Sequence, residues 1–544
     1  MSLKSQMPYG ISLLKHYGFH DFMLRFMEWF DTKKRDSYYQ KHLDLFFPSE
    51  AELDIQRKTS FSYEPLISIV VPAYETPANF LKQLVDSVLS QTYSKLELCI
   101  ADGSKTSLVY DTLNEYSDSR IKYIKLSKNA GISENTNEGF EHTTGDYIAL
   151  LDHDDLLTPN ALFEMVQALN SDESIPDMVY SDEDKIIADT NVLSNPTFKS
   201  DLNEEFLRHT NYICHFLIFS KKLLDKVGGL DSSYDGAQDF EFVLRCNASG
   251  AVIKHVPKIL YHWRIHPAST AANPESKLYA FENGSKAIEK YLAEKNETGT
   301  ASLTKDLGFY QIDYALQGDY NVTVLAYTEE QIREMKKLQA ERQNLHITYK
   351  LIGRLTNDLL LSLTDDYIVI SQPDIIPTTS NWIEEFLKHC QWSRIGIVGV
   401  KTLNRHNRIE NCGFTYNQNG QIFSLFYNLP SIYRGYCHRA DSPQNVCGVS
   451  FSLSMVRRDA LHAANGINET FTFPYQDLDF CFKLSALDYE IILNTDIHAL
   501  CRKTFLYPAK ADEIFLNSWK LKLEKPNPYY NSNLAAKNGN FVLK

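Results

Sequence analysis

Short apolar runs alternate with amphipathic segments along much of the chain, and this pattern gives the first indication of the fold. Three apolar runs after residue 64 are too short for helices and predict strands at Leu66–Val71, Leu96–Ala101 and Ile121–Leu126. Apolar residues at helical spacing predict two helices among these strands, at Asn79–Ser90 and Glu134–His142. Because strands and helices alternate, the predicted fold class is α/β, with a doubly wound, mostly parallel sheet.

The next apolar run, Tyr147–Leu151, stops at three carboxylates, Asp152, Asp154 and Asp155. Its length and polar boundaries predict a buried central strand, so the acids lie at its carboxyl end. Open α/β sheets bind ligands at that edge, and two carboxylates one residue apart can hold a divalent cation. The alternative is an Asp-rich cap for a helix that begins near Thr158. We favour the ligand site, because a cap alone does not require three acids that repel one another.

Polar turns after two other predicted strands fall on the same edge of the sheet. Pro72 and Tyr74 lie at the end of the first strand, and Asp102 ends the second. The segment Asn129–Asn137 then opens a helix, where Gly131 permits an unusual turn and small polar residues can approach a ligand. Each signal is weak by itself, since Asp-Gly-Ser is a common turn. Their ordered convergence predicts a binding site.

Composition and charge restrict the class of protein. The chain has 544 residues, which predicts two or three domains, and its net charge of −14 with no sustained Lys/Arg run disfavours nucleic acid as a partner. Its nine cysteines are scattered without a Cys-x-x-Cys pair, which indicates ordinary thiols in a reducing compartment. The sequence shows no apolar stretch long enough to cross a bilayer and no signal-peptide h-region, so it predicts a cytoplasmic location.

The first 64 residues predict an amphipathic helix, because apolar residues recur near helical spacing at Ile11, Leu14, Phe22, Phe26 and Phe30. The polar residues of this segment carry both signs of charge. We therefore expect the helix to dock on the protein's own body, with peripheral contact at the inner face of a membrane as the alternative.

The second half of the chain repeats features of the first. Asp365–Asp374 echoes the strand and acids at Gly145–Asp155, and Tyr475–Leu484 echoes Ala237–Arg245. Two matches in the same order predict two tandem copies of one domain. The second copy is predicted to be truncated, because the segment between its first strand and Asp365 is too short for three strands with their helices. The predicted organisation is a helical region at 1–64, a catalytic domain at 65–300, a linker at 301–320, a degenerate domain at 321–510 and a tail at 511–544.

The polar turns that follow the predicted strands, together with four further motifs, resemble family 2 glycosyltransferases. These enzymes have the GT-A fold and take a sugar from a nucleotide diphosphate sugar. The four motifs are Asp177–Lys185, Asn195–Lys199, Asp235–Asp239 and Tyr261–Arg264. Their order is similar to a bacterial branch that builds cell-surface polysaccharides, including rhamnose-containing ones, and the resemblance covers about residues 65–275. It implies an inverting hexosyl- or rhamnosyltransferase that moves a sugar from a UDP- or dTDP-sugar to a glycan, lipid-linked or glycoprotein acceptor. Whether the protein is a homodimer is left open.

The resemblance also implies roles for individual residues. Asp102 would contact the uracil or thymine base, in a pocket shaped by Pro72 and Tyr74. Asp152 would touch the ribose side, and Asp154 would bind the Mn²⁺ or Mg²⁺ ion that bridges the diphosphate. His262 would be the histidine near the diphosphate or metal, and Asp239 would be the general base. The other residues implied at the donor site are Glu75, Gly131, Asn135, Asp182 and Arg264.

Three of these positions have alternatives. Asp239 could be a helix cap or pair with Arg245, although Gly236 before it and the acid kept in the second copy favour catalysis. His262 could be a core histidine between Tyr261 and Trp263. Asp182 belongs to an acidic group, Asp182–Asp184, that either lines the donor or acceptor site or forms a solvated turn. Glu75 stands where the family more often has Asn or Asp, so its contact is uncertain.

The second copy has lost most of these features. Its metal motif reads Ser371–Asp374, and Leu500 stands where a histidine is expected. It is therefore predicted to be a scaffold, acceptor platform or dimer surface, with Asp477 and Asp479 kept for folding or for holding an acceptor glycan. Two other functions are alternatives for the whole chain, a nucleotidyltransferase and a glycan-binding scaffold. A nucleotidyltransferase calls for a Gly-rich, basic loop that the segment after the first strand lacks, and the intact acids of the first copy disfavour a purely glycan-binding scaffold.

Overall fold

The computed structural model describes residues 3–172, 174–188, 190–266, 278–505, 507–508, 512–536 and 539–544, with side chains from residue 22 onward. The chain divides into two compact units. The first unit comprises Asp36–Leu202 and Leu207–Asp313, and the second comprises Met1–Arg35, Asn203–Phe206 and Tyr314–Lys544.

Residues 3–314 contain ten helices and eleven strands among the described positions. The helices are α1 Leu3–Lys41, α2 Glu50–Lys58, α3 Ala78–Leu89, α4 Leu108–Leu113, α5 Ile132–Glu141, α6 Ala161–Leu169, α7 Glu204–His209, α8 Lys221–Val227, α9 Gln238–Ala248 and α10 Leu278–Glu294. The strands are β1 Ile67–Ala73, β2 Leu96–Asp102, β3 Ile121–Lys125, β4 Tyr147–Leu150, β5 Leu156–Leu157, β6 Met178–Ile187, β7 Val192–Thr197, β8 Leu217–Ser220, β9 Ile253–Ile265, β10 Gly299–Leu303 and β11 Tyr310–Tyr314. The four strands and two helices predicted between residues 66 and 151 are thus confirmed to within two residues at each end.

The main sheet of the first unit has the order β3-β2-β1-β4-β8-β6-β9-β5, with β7 beside β6. Strands β1 to β4 pair in parallel, but β8 runs antiparallel to both of its neighbours, and β5 and β7 are antiparallel to theirs. The prediction of a mostly parallel sheet therefore holds for β1 to β4, whereas among the other described strands of the sheet only β6 and β9 pair in parallel. Alternating helices impose parallel pairing only on strands joined by a crossover, and β8 is not consecutive in sequence with either neighbour.

Burial explains why the first strands are continuous apolar runs. Every residue of β2 is buried, and β1 is buried except at Pro72. Strands covered on both faces have no polar side to alternate with. Helix α3 covers one face with side chains at helical spacing: Leu81, Leu84, Val85 and Val88. This packing fixes where β1, β2 and β4 end, and hence where their terminal polar residues lie.

Residues 301–320, predicted as a linker, include part of a two-stranded hairpin. Strands β10 and β11 pair with each other, and β10 also packs against α10. The polar composition that suggested a linker belongs to this hairpin, in which Tyr310, Ile312 and Tyr314 are buried and the alternate residues Gln311 and Asp313 are exposed. The division between the two units, at residues 313 and 314, lies inside the predicted segment.

The described part of residues 315–544 contains six helices and thirteen strands. The helices are α11 Glu329–Lys337, α12 Asn357–Leu361, α13 Trp382–Cys390, α14 Arg458–Ala463, α15 Tyr475–Ala486 and α16 Glu513–Leu523. The strands are β12 Tyr320–Ala326, β13 Leu345–Leu351, β14 Tyr367–Ser371, β15 Ile375–Pro377, β16 Ile395–Asn404, β17 Ile409–Asn411, β18 Phe414–Tyr416, β19 Ile422–Ser424, β20 Gln444–Asn445, β21 Leu453–Arg457, β22 Glu490–Cys501, β23 Leu534–Ala535 and β24 Val542–Leu543.

The main sheet of the second unit has the order β13-β12-β14-β21-β16-β22-β15, with β17 beside β16. Position by position, this is the order of the first sheet without a counterpart of β3. The directions agree as well, because β12 is parallel to β13 and β14, β21 is antiparallel to both neighbours, β16 is parallel to β22, and β15 and β17 are antiparallel to their partners.

The N-terminal helix is present as α1, but its contacts differ from the expected apolar docking. Phe26 and Phe30 are exposed, and the side chains of Ile11 and Leu14 lie outside the described residues. Within the second unit, Glu28 pairs with Arg434, and Asp31 accepts a hydrogen bond of 2.7 Å from the Tyr433 hydroxyl. Among the described helices, α1 included, we find none with enough apolar length to cross a membrane.

Candidate functional site

The predicted edge of the first sheet is formed by the ends of β1, β2 and β4. Ala73 is paired with Asp102 in the parallel register of β1 and β2, and Val70 is paired with Leu150 of β4. The polar residues that follow these strands therefore meet at one place, as the sequence predicted. Pro72 is half-buried within β1, and Tyr74, directly after the strand, is exposed.

Asp102 is a fully buried carboxylate with three donors around it. Oδ1 accepts from the Ser104 backbone N–H at 2.8 Å, and Oδ2 accepts from the Tyr123 hydroxyl at 2.8 Å and from Lys125 Nζ at 3.2 Å. Burial by itself raises the pKa of Asp102, but the hydrogen bonds from Ser104, Tyr123 and Lys125 outweigh it and lower the pKa below its ordinary value. Asp102 is thus held ionised, as an acceptor, on the floor of the site.

Glu75 is used internally rather than facing a ligand. Its carboxylate accepts from the Lys105 backbone N–H at 2.8 Å and from the backbone N–H and hydroxyl of Thr106, and its own N–H donates to Ser104 Oγ at 2.7 Å. These hydrogen bonds, led by that of the Thr106 hydroxyl, lower the pKa of Glu75. They tie the turn after β1 to the turn after β2. Glu75 thus stabilises this edge of the sheet, and its contact with a donor stays a prediction.

Gly131 and Asn135 shape the loop that leads into α5. Gly131 has a φ of +105°, and a Cβ there would lie 2.8 Å from Asp235 Oδ2, so a side chain is excluded by both conformation and space. Asn135 accepts from the Ala130 backbone N–H at 3.1 Å and donates to Asn129 Oδ1 at 2.8 Å. Asn135 is 4% exposed, so it acts by fixing the loop.

The three acids after β4 have different environments. Asp155 is fully buried and accepts from the Arg264 backbone N–H at 2.6 Å and from the Tyr261 hydroxyl, which ties the acid turn to β9. Burial raises the pKa of Asp155 well above its ordinary value, with the neighbouring carboxylates adding to the effect. Asp152 and Asp154 are partly exposed. These two are the acids that a ligand can reach.

Asp154 lies beside a histidine that the sequence reasoning missed. Its Oδ2 is 2.8 Å from His266 Nε2, and its backbone carbonyl accepts a hydrogen bond from Arg264 Nε. Arg264 is fully buried over the Phe80 ring and donates to Gln83 Oε1 at 2.7 Å. Its Nη1 has no hydrogen-bond partner among the described residues. A buried guanidinium nitrogen without a partner suits an anionic oxygen.

Asp152 faces the other side of the cleft. His215 Nε2 lies 3.6 Å from its Oδ2, and the His215 ring stacks on Tyr261. The recess around Asp152 raises the pKa of its carboxyl, the charges of Asp154 and Asp239 raise it further, and His215 opposes them. Asp239 is therefore close enough to interact with the acids after β4, although 84 to 87 residues separate them in sequence.

Asp239 lies in the first turn of α9. Its Oδ2 accepts from Asn211 Nδ2 at 3.1 Å, and its Oδ1 accepts from the Phe240 backbone N–H at 2.8 Å. Neither alternative considered from the sequence is observed. The residue at the N-cap of α9 is Ala237, and Arg245 pairs instead with Glu241. The carboxylate is half-buried, which leaves part of it accessible.

His262 lies on β9, paired with Asp184 of β6 on one side and with Leu156 of β5 on the other. Its Nδ1 is 2.5 Å from Asp184 Oδ1, and its side chain is 13% exposed. A core histidine was the alternative interpretation. The ring is oriented by a buried carboxylate, as ligand histidines usually are, and remains partly accessible.

Asp182 lies on β6, inside the first unit. It is fully buried, and its Oδ1 is 2.9 Å from His255 Nε2 and accepts from the Lys199 backbone N–H at 2.8 Å. Burial lowers the pKa of His255, but Asp182 outweighs this and raises it. Glu183 and Asp184 are buried in β6 as well, so this acidic group does not form the solvated turn that was the alternative, and the contact of Asp182 with the nucleotide sugar stays a prediction.

The residues around Asp154 fit a divalent cation that is shared with a ligand. Mg²⁺ ligands lie about 2.1 Å from the ion and at right angles, so neighbouring ligand atoms are about 3 Å apart, close to the 2.8 Å between Asp154 Oδ2 and His266 Nε2. Within the described residues, no three acidic, histidine or cysteine side chains are arranged to hold a metal by themselves. An ion here would complete its shell with phosphate oxygens and water, as Mg²⁺ commonly does.

Comparison with known proteins covers the part of this site that precedes α9. Residues 68–228 match the model of Glycosyl transferase family 2, which confirms the resemblance drawn from the motifs. The fold of this part of the chain is GT-A-like, with a mixed sheet.

Three curated bacterial proteins are similar over different lengths. Protein y4gI of Sinorhizobium fredii is 27% identical over 88% of this chain and 58% of its own length. The O-antigen biosynthesis protein RfbC of Myxococcus xanthus is 25% identical over 87% of this chain and 40% of its own length. The Escherichia coli UDP-Glc:alpha-D-GlcNAc-diphosphoundecaprenol beta-1,3-glucosyltransferase WfaP is 28% identical over 41% of this chain and 86% of its own length. The chain thus spans about half the length of the first two.

Proposed function

We propose that this chain, whose residues 68–228 form a family 2 glycosyl transferase domain, is an inverting, metal-dependent glycosyltransferase of bacterial surface polysaccharide synthesis. Its donor would be a UDP- or dTDP-sugar carrying a hexose or rhamnose. Its acceptor would be a glycan, a lipid-linked sugar or a glycoprotein. The observation that carries the proposal is that Asp102, Asp152 and Asp154 follow strands that end at one edge of the first sheet. Asp239 of α9 adds to it, because its charge raises the pKa of Asp152.

The donor would lie along this edge with its base toward Asp102. A carboxylate held ionised by Ser104, Tyr123 and Lys125 can accept the N–H of a uracil or thymine ring. Pro72 and the exposed Tyr74 would flank the base. Asp152 would then face the ribose, because it follows the neighbouring strand in the same register.

The diphosphate would lie between Asp154 and Arg264. A divalent ion supplies positive charge that neutralises the leaving diphosphate. Asp154 and His266 would hold it from the protein side, and the buried Nη1 of Arg264 suits one of the phosphate oxygens. The positive groups at this end of the site would face the leaving group, whereas Asp102 and Asp239 would face the base and the acceptor.

Asp239 would be the general base. It would take the proton from the acceptor hydroxyl as that oxygen attacks the anomeric carbon and the bond from this carbon to the diphosphate breaks. A single base on the face opposite the leaving group is enough for inversion. The hydrogen bond from Asn211 fixes the carboxylate while leaving part of it accessible.

We further propose that the second unit is a truncated copy that has lost this chemistry. Thr378 donates its backbone N–H to His498 O as Thr158 does to Leu260 O, and this shared bond aligns Asp374 with Asp154. In the same alignment Gln372 replaces Asp152 and Leu500 replaces His262. Lys503 Nζ lies 2.8 Å from Asp374 Oδ2, so an ammonium group occupies the position where the first unit would place its cation.

A cavity of about 630 Å³ lies at the corresponding edge of the second sheet, lined by Tyr327, Gln372, Asp374, Phe473, Gln476 and Asp477 among others. Asp477 aligns with Asp239, but its Oδ2 accepts from the Phe451 backbone N–H and from Ser450 Oγ, and it is 3% exposed. We assign transfer to the first unit on the strength of its acids rather than on cavity size. The cavity in the second unit would then be a place for an acceptor glycan.

The test is to incubate the purified chain with UDP- and dTDP-sugars and Mn²⁺ and to follow release of the nucleoside diphosphate. Slow hydrolysis without an acceptor is expected for at least one sugar, and Asp154→Asn should abolish it while keeping the melting temperature. Incorporation of a nucleoside triphosphate and a sugar phosphate into a nucleotide sugar would instead identify a nucleotidyltransferase. If the chain binds glycans but hydrolyses none of the donors, it is a scaffold.

A further inference from the structure

A tyrosine from the N-terminal helix reaches the metal side of the first unit. Tyr39 is fully buried, and its hydroxyl donates to Asp184 Oδ2 at 2.6 Å. The other oxygen of the same carboxylate, Oδ1, is 2.5 Å from His262 Nδ1. Asp184 is fully buried as well. Tyr39, Asp184 and His262 therefore form a continuous chain of hydrogen bonds from α1 to β9.

This chain ends beside the acids of the donor site. His262 is paired with Leu156, which follows Asp154 by two residues, and its ring retains 13% exposure. Since Nδ1 is used by Asp184, the ring nitrogen left for another partner is Nε2. A carboxylate on Nδ1 fixes both the tautomer and the orientation of a ligand imidazole and increases its basicity.

The segment around Tyr39 is anchored to the first unit by its own contacts. Asp36 accepts a hydrogen bond of 2.6 Å from the Asn195 backbone N–H, and Gln40 donates to Leu193 O at 3.1 Å, both on β7. Phe47 lies with its ring 5.7 Å from that of His262. The helix end is therefore placed against the β6–β7 hairpin independently of the Tyr39 hydroxyl.

We propose that Tyr39 is a positioning residue for the metal–diphosphate group, acting through Asp184 on His262. The inference rests on the proposed function and adds a residue outside the matched family region, 29 positions before its start. Without the Tyr39 hydroxyl, one oxygen of Asp184 loses its donor in a fully buried place. The carboxylate is then free to turn, and the imidazole of His262 loses its fixed tautomer.

The electrostatics of the site keep Tyr39 a donor. Burial raises the pKa of the Tyr39 hydroxyl far above its ordinary value, and the charge of Asp184 raises it further. The proton therefore stays on the tyrosine throughout the physiological range. One oxygen of Asp184 accepts from this hydroxyl, and the other lies within hydrogen-bond distance of the His262 ring.

The experiment measures Mn²⁺ binding to the full chain in the presence of UDP, by the electron paramagnetic resonance signal of free Mn²⁺. Tyr39→Phe keeps the ring and removes only the hydroxyl, and it should weaken Mn²⁺ binding about 10-fold to 100-fold, the usual effect of removing a partner of a ligand histidine. In a His262→Gln background, Tyr39→Phe should cause no further loss, because a residue that acts through His262 has nothing left to position.

Tyr147→Phe is the matched control, since Tyr147 is also buried and its hydroxyl donates to Pro176 O at 2.6 Å. This variant should bind Mn²⁺ like the wild type. A Tyr39→Phe chain that melts at a lower temperature but binds Mn²⁺ with unchanged affinity would overturn the inference. So would a loss of Mn²⁺ affinity on Tyr39→Phe that is equal in the wild-type and His262→Gln backgrounds. If the wild type itself bound no Mn²⁺ with UDP, the proposed function would fail, and this inference with it.

Discussion

His266 Nε2 lies 2.8 Å from Asp154 Oδ2, so the acid predicted to bind metal has an imidazole within hydrogen-bond distance of its carboxylate. The two residues are 112 positions apart and are brought together by the return of β9 beside β5. Asp154 is 18% exposed and His266 21% exposed, so both remain accessible to a ligand. In the proposed function, this pair belongs to the protein's contribution to a cation site that the donor diphosphate would complete.

His266→Ala is expected to weaken Mn²⁺-dependent binding of UDP by about 10-fold to 100-fold, as loss of a metal-site partner commonly does. Titration calorimetry with UDP, with and without Mn²⁺, measures this directly. Binding of UDP without the ion should change little, because the base and ribose contacts are elsewhere. His142→Ala on the exposed end of α5 is the control and should behave as the wild type. An unchanged Mn²⁺ effect in His266→Ala would remove His266 from the site.

Asp239→Asn should lower the transfer rate by about 10²-fold to 10⁴-fold, the usual range for losing a general base. Donor affinity should stay unchanged, because Asp239 faces the acceptor. The residue aligned with it in the second unit, Asp477, provides the matched control, and Asp477→Asn should leave transfer intact. Radiolabelled sugar transfer and calorimetry with the donor separate the two quantities. A dead Asp477→Asn enzyme with normal Asp239→Asn activity would place the chemistry in the second unit.

The local pattern of apolar and polar residues was enough to predict β1 to β4, because these strands are short apolar runs that are largely buried. It also predicted that the polar residues at their ends lie together, because parallel strands end at one edge of the sheet. The antiparallel β8 was not predictable in this way, since its neighbours are distant in sequence. Contacts such as Asp154 with His266 and Tyr39 with Asp184 join residues more than 100 positions apart. The partners of Asp182, His255 and the Lys199 backbone, were not predictable either, because an acidic motif in a sequence does not show which distant residues it will contact.

The buried ion pair between Arg208 and Glu297 gives a stability prediction for the first unit. Arg208 Nη1 lies 2.5 Å from Glu297 Oε2, and the two side chains are 0% and 4% exposed. Arg208→Met removes the cation from a buried carboxylate and should lower the free energy of unfolding by about 3–5 kcal/mol. Replacing both partners, in Arg208→Met/Glu297→Leu, should cost less than the single change. Urea unfolding of the three proteins provides the comparison, and equal losses in the single and double variants would contradict it.

Asp477 predicts a pH dependence in the second unit. Burial raises the pKa of this carboxyl from its ordinary value of 3.8 to about 7, against hydrogen bonds from Phe451 and Ser450 that lower it. Between these two pH values the folded chain keeps a proton that the unfolded chain has lost, so this group's contribution to stability falls as pH rises from about 4 to about 7. Above about pH 7 the folded chain also carries the ionised carboxylate, and its burial lowers the free energy of unfolding by on the order of 4 kcal/mol for a pKa difference of about three.

Asp477→Asn removes this cost, because the amide has no proton to lose. The melting temperature of the variant should therefore exceed that of the wild type at pH 8, by more than at pH 5, as followed by calorimetry at both pH values. Glu410→Gln is a useful comparison, since burial also raises the pKa of Glu410 and the same sign is expected. A difference between Asp477→Asn and wild type that is equal at pH 5 and pH 8 would mean that Asp477 does not titrate in this interval on unfolding.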